Sequence, residues 1–366
     1  MQTLISTLTL AICLISIDIQ ARVVGDLTLA RVPVLDRSDI EFARGTSKAL
    51  ESVLVKLTGN SRTAQTTQGR AVVAKAKRLV QQFVYEKSTP SDGVENLLLR
   101  VTFDEPALAD AMRNQGLVLW GKERPATRLY VTIKNGADSS PLTSNGIEPD
   151  SLEAQLAEII LGKADNRGIP VSFPSPAQAA LFAPSGNLSA ALSAALALEQ
   201  ESDADGVAVA VFEASESGLW ESQWRFQMGS ETGQFSGQGD IAALLAEENT
   251  DSLADIIGKR FANPALLSRK ESVRLKIHGI YDASDYARVT RYLNSLDSIG
   301  DLFLQQAQGD AIILSALVQG GYQGLGQSIA FGKVLTPLSV GEVSEGFTEG
   351  FEETTTGPGE YRLISH

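Results

Sequence analysis

The stretch Arg31–Gly59, RVPVLDRSDIEFARGTSKALESVLVKLTG, constrains the fold more than any other. Pro33 stands between Val32 and Val34, and proline has no N–H to give a sheet ladder. A strand here belongs at a sheet edge. Ser38 followed by Glu41 matches a capping box: the serine accepts an orphan N–H of the first turn and the glutamate reaches back to the cap. Ala43, Leu50, Val53, Leu54 and Leu57 then share one helical stripe. Glu41, Arg44, Lys48 and Glu51 fall on the other side. Gly59 supplies the left-handed residue that ends the helix. Burying each large apolar residue contributes about 1.5–3 kcal/mol, against about 1 kcal/mol for the cap. The stripe therefore decides where the helix docks, and the rest of the first third can pack on this unit.

A chain of 366 residues predicts two or three domains at about 150 residues each. Its 43% hydrophobic content is enough for real cores. The first module spans 22–125 in the order β-α-α-β-α-β. Its second helix carries Val72, Ala76, Leu79, Val80 and Phe83 and breaks at Pro90–Gly93. Leu97, Leu99, Val101 and Phe103 alternate as a strand. A helix starts at Asp104 and Pro106 and stops at Gly116, and Leu117–Trp120 predicts a buried strand.

The middle module spans 126–263. It opens with the strand Arg128–Lys134, followed by a loop and a helix capped at Asp150-Ser151. Ile169–Phe173 is a short strand, LSAALSAALALEQ a helix and Gly206–Phe212 a buried strand. Trp220–Met228 and Gln234–Gly237 form an antiparallel pair, and a helix over 240–262 closes the module. A third module, 271–336, has the order β-α-β-β-α and resembles part of a ferredoxin-like or split-βαβ unit. Residues 341–366 carry six glutamates and one arginine and are expected to form a disordered acidic tail. The predicted class is α/β of the α+β type, three small mixed-sheet modules in series.

Residues 4–17, LISTLTLAICLISI, are apolar or small but too few for a bilayer span of about 20 residues. With Ala21 as a cleavage point, residues 1–21 are expected to be a signal peptide and the mature chain periplasmic. No Lys or Arg precedes the run, so an uncleaved anchor stays open, and membrane contact is expected only through it. Cys13 is the one cysteine, which leaves a cleaved chain without disulfide, thiolate ligand or cysteine nucleophile.

The net charge of −13 opposes nucleic-acid binding, which needs a basic stripe to replace phosphate counterions. Histidine is confined to His278 and His366, and His278 shares a strand face with Arg274 and Lys276. Gly116-x4-Gly121-Lys122 imitates a phosphate loop, but Leu-Val-Leu-Trp fills it and Glu123 replaces the Ser or Thr that a metal ion needs. Gly-x-Ser-x-Gly, Ser-x-x-Lys and His-Glu-x-x-His are missing from the sequence. No catalytic residue, cofactor or metal is expected. Trp220 and Trp224 share a strand face as packing mass or a partner contact. Val32, Pro33 and Val34 offer a sheet edge, and sheet edges accept partner strands. These five residues are the expected interaction surface.

The runs Val32–Ser38 (VPVLDRS), Ala43–Gly59, Gln81–Glu86 (QQFVYE), Leu97–Asp104 (LLLRVTFD) and Leu119–Pro125 (LWGKERP) resemble a bacterial envelope family known as domain of unknown function family 2066. That resemblance implies an exported protein of proteobacterial type with no established activity. By element order, the first module is similar to the N-terminal module of the flagellar outer-membrane T-ring protein. The middle one is similar to the N-terminal domain of Tol-type translocation proteins. Such modules bind other envelope proteins. The expected function is a non-enzymatic interaction or assembly protein. The alternative is a periplasmic carboxylate hydrolase or small-ligand binder.

Overall fold

Val32 and Val34 face inward from β1 (Leu29–Val34), while Arg31 and Pro33 face out. This alternation is the starting point of the first of three sheets in a computed structural model of the chain. The structure describes residues 26–88, 96–122, 124–182, 187–200, 202, 204–229, 231–262, 270–296, 298–329, 334–338 and 359–364. The expected leader, the break at Pro90–Gly93, the boundary at Asn263-Pro264 and residues 341–358 of the expected tail lie outside them. No helix among the described residues is long and apolar enough to cross a membrane.

The first sheet is antiparallel in the order β1-β3-β2, with β1 at the edge where Pro33 needs it. After β1 come α1 (Asp39–Thr58), α2 (Thr67–Val73), α3 (Ala76–Leu79), β2 (Val80–Ser88), β3 (Asn96–Phe103) and α4 (Glu105–Arg113). Leu50, Val53 and Leu54 of α1 are fully buried with Val32, Val34, Leu99, Val101 and Phe103. Ser38 caps α1, accepting the Glu41 N–H at 3.3 Å, and Gly59 ends it at φ 68°.

Three expectations change here. The Glu41 carboxylate takes the Leu35 N–H and Arg44, while Asp36 takes the Ser38 N–H, so the second half of the capping box is rerouted. The helix expected through Phe83 stops at Leu79. Val80–Ser88 pairs along β3 instead, because Val80, Phe83, Val84 and Tyr85 suit a pleated surface and the ladder satisfies their backbone. Leu117–Trp120 forms no strand beyond a single bridge at Leu119; the Trp120 N–H donates to Leu57 O at 2.6 Å.

The middle sheet runs β5-β4-β7-β8-β9, with β6 beside the first residues of β4. Its elements are β4 (Thr127–Asn135), β5 (Asp138–Pro141), α5 (Leu152–Arg167), β6 (Val171–Ser172), α6 (Pro176–Leu181), α7 (Leu188–Leu198), β7 (Gly206–Ala214), β8 (Trp220–Met228), β9 (Glu231–Gly239) and α8 (Ala242–Phe261). The loop expected after β4 is a hairpin turned at Gly136, φ 63°, with β5 as its second arm. β4 and β7 are parallel. One side of the sheet, with Leu129, Val131, Ala208 and Phe212, packs on α5 and α8. The other side, with Tyr130, Val207 and Val209, packs on α7. Burial on both faces explains the unbroken apolar run Val207–Phe212.

The third sheet holds β10 (Lys270–His278), β11 (Ile299–Gln308), β12 (Ala311–Gln319), β13 (Leu335–Pro337) and β14 (Glu360–Leu363) in the order β11-β12-β10-β14-β13. α9 (Ala283–Ser295) crosses over to β11, and α10 (Gly321–Ile329) follows β12. β12 lies between β10 and β11, which is the split-βαβ arrangement. β14 runs parallel to β10 and antiparallel to β13, wedged between them. The expected disordered tail thus ends in a strand. Tyr361 and Leu363 are buried while Glu360 and Arg362 alternate with them, a two-residue period that suits a half-buried strand.

Candidate functional site

Of the five residues expected to meet a partner, three are core. Val32 and Val34 lie beneath α1, so close that a Cβ on Gly45 would come within 2.7 Å of Val34 Cγ1. Trp224 is 1% exposed and stacks on Phe235 at 5.4 Å. Trp220 is partly buried against the same core, and Pro33 alone is exposed. Alternation along a strand sends every second side chain inward, and here the larger apolar ones go in.

The densest polar cluster joins the first module to the middle one. Arg167, at the last turn of α5, donates to Gly59 O at 3.1 Å, to Asp251 Oδ1 at 2.7 Å and to Asp255 Oδ1. Asp255 also accepts the Ser61 N–H and hydroxyl at 2.8 and 2.6 Å. Burial alone would raise the Asp255 carboxyl, but the hydrogen bonds from Ser61 and Arg167 outweigh it and hold it below its ordinary range. Arg124 lies over the Trp120 ring at 4.0 Å and donates to Lys56 O, Trp120 O, Arg167 O and Gly168 O. Gly59 and Gly258 meet backbone to backbone; a Cβ on Gly258 would lie 2.3 Å from Gly59 O. Planar guanidinium forks suit several fixed carbonyls at once. The terminal nitrogens of both guanidinium groups are spent on these carboxylates and on backbone, so the cluster is a brace between modules.

A second buried group sits between β4 and α7. Glu199 accepts from Tyr130 Oη at 2.8 Å and from Arg128 Nε at 3.3 Å, and its side chain is 2% exposed. Burial and the neighbouring Glu199 push the Tyr130 phenol far above its usual range. A carboxylate beside a tyrosine could move protons, but this one is sealed. A groove of about 440 Å³ lies elsewhere, between α5 and the loop at Thr143–Ile147. A polar groove of about 790 Å³ covers the outer side of β8 and β9. Neither is lined by Glu199. Among the described residues no group of three or more His, Cys, Asp or Glu could hold a metal ion.

Among the described residues, helices cover one face of the third sheet. Val273, Leu275, Ile277, Leu314 and Val318 face α9 and α10. The opposite face carries Lys270, Arg274, Lys276 and His278 from β10 and Arg362 from β14, which pairs with His278. Beside them β12 presents Ile313, Ser315 and Leu317, all partly exposed, and β11 presents Phe303 opposite Ser315, 64% exposed. Glu360 is the one carboxylate on that side of the described residues of β10, β12 and β14. It meets Lys276 at 3.4 Å and His278 at 3.7 Å. Charge elsewhere in the chain is strongly acidic, so a row of cations beside an apolar column is a local inversion. The shared face of Arg274, Lys276 and His278 was legible in the sequence. Arg362 was not, because β14 reaches this sheet from a distant part of the chain.

Residues 21–121 match the model of a family described as a domain of unknown function (DUF8605). This finding corrects the resemblance to domain of unknown function family 2066. VPVLDRS, QQFVYE and LLLRVTFD all lie inside the matched span. An edge strand, a capped helix and an alternating strand are local devices that unrelated families share. No curated protein matches the chain.

Proposed function

We propose that the chain is an exported, non-enzymatic interaction or assembly protein of the bacterial cell envelope, and that it meets its partner through the open face of the third sheet. The observation that carries this reading is that face: cations and apolar side chains side by side, uncovered by α9 or α10, in a chain of net charge −13. Interfaces favour this mixture of apolar anchors and arginine. The apolar N-terminal run supports export.

A photo-crosslinking residue at Ser315, introduced in cells, is expected to give a discrete adduct with an envelope protein. Adducts from sites on the first module with none from Ser315 would sink the reading. N-terminal sequencing tests export: a mature start near Arg22 is expected, and a start at Met1 counts against it. For the alternative of a carboxylate hydrolase, the buried Glu199 and Tyr130 are closed to a substrate; a small-ligand binder would use the grooves beside α5 and along β8 and β9, and a thermal-shift screen tests it.

A further inference from the structure

We infer that the open face of the third sheet takes an acidic, phenylalanine-bearing segment of a partner protein, laid along β10 and β12. This rests on the reading of that face as the contact surface and assigns it a partner class. Arg274, Lys276 and His278 follow one another at two-residue intervals on β10. An extended chain has the same period, about 6.6 Å between alternate side chains, so carboxylates at alternate positions of such a segment meet Arg274 and Lys276, with the His278 ring next in the row. Arg274 and Arg362 make no ion pair with a described residue, so neither needs an existing partner displaced. Lys276 and His278 face Glu360, which a partner carboxylate would join.

The apolar column decides the rest of the chemistry. Ile313, Leu317 and Phe303 lie on the strands next to the cation row, within about 5–10 Å of it. A purely charged ligand leaves them wet; a segment with Phe between its carboxylates covers them. A nucleic acid fits less well: its phosphates extend far beyond this patch, over a surface whose net charge repels them.

The test uses the purified full chain and a short fluorescent peptide in which Glu alternates with Phe or Ser. Binding is expected at low salt, falling as salt is added. The double variant Arg274→Gln/Arg362→Gln is expected to weaken it about three- to ten-fold, as for exposed charge pairs. Phe303→Ser is expected to weaken it about two- to five-fold. Lys77→Gln, on the first module, is expected to leave it unchanged, and circular dichroism checks that all variants fold. Equal binding of a peptide with Gln for Glu, or full binding by the double variant, overturns the inference. So does an oligonucleotide that binds where the peptide does not.

Residues 342–353, EVSEGFTEGFEE, are likewise acidic and carry two phenylalanines. A chain with Glu342, Glu345, Glu349, Glu352 and Glu353 changed to Gln therefore completes the set. Peptide binding by this variant and none by the native chain would make the occupant the chain's own segment and overturn the partner. Because the peptide is tested on purified protein, it can fail while the crosslink in cells succeeds, or the reverse.

Discussion

Gly59 serves two purposes at once. It ends α1 in the left-handed region, and its backbone touches Gly258 of α8. A side chain on Gly258 would drive into Gly59 O, so Gly258→Ala is expected to cost about 1–3 kcal/mol, read as a lower urea midpoint. Arg167 is the matching polar device. Changing it to Met leaves the Gly59 carbonyl and the Asp251 and Asp255 carboxylates without their donor. The expected loss is about 2–3 kcal/mol in the same measurement, with Lys restoring only part of it, since a point charge cannot serve three acceptors in one plane. Ser38 shows what residue-level reasoning reaches. Its cap was readable from spacing, but the partner of Glu41 depended on where Leu35 and Asp36 came to lie.

At the scale of elements, alternation was a safer guide than helical spacing. β3 and the two-sided run of β7 follow directly from their side chains. Val72 to Phe83 fits a helix by spacing, yet its second half became β2 because β3 offered a ladder from another part of the chain. Trp224 illustrates the same limit: its strand face was legible, but whether that face met α8 or solvent was not. Trp224→Ala is expected to cost about 3–5 kcal/mol by chemical unfolding while leaving partner binding intact below the transition. β14 makes the sharpest case. Ending the chain after Pro358 is expected to speed amide exchange at Lys276 and His278 of β10, whose N–H groups face β14, and leave β7 unchanged; equal exchange at these amides would show that β14 adds nothing to the sheet.

For the whole molecule, the brace between the first two modules carries a pH dependence. Asp255 is held below the ordinary aspartate value of 3.8 in the folded chain. Its contribution is therefore present above 3.8 and lost as pH falls through the lower folded value. Thermal unfolding of the native chain and of Asp255→Asn is expected to differ by a constant amount from neutral pH down to about 4 and to converge below it. A difference that persists unchanged into stronger acid would exclude the carboxylate as its source. Three α/β units, a capped edge-strand helix and the split-βαβ order were determined by sequence alone. They depend on local periods, caps and turns, and burial of a stripe or a face is dictated by the side chains that form it. Only the tertiary structure decided that Trp224, Val32 and Val34 are core, that Arg124 and Arg167 brace two modules, and that Arg362 joins the cations of β10. Each of these is a meeting of residues far apart in the chain, set by which surfaces find each other, and local spacing carries no record of that.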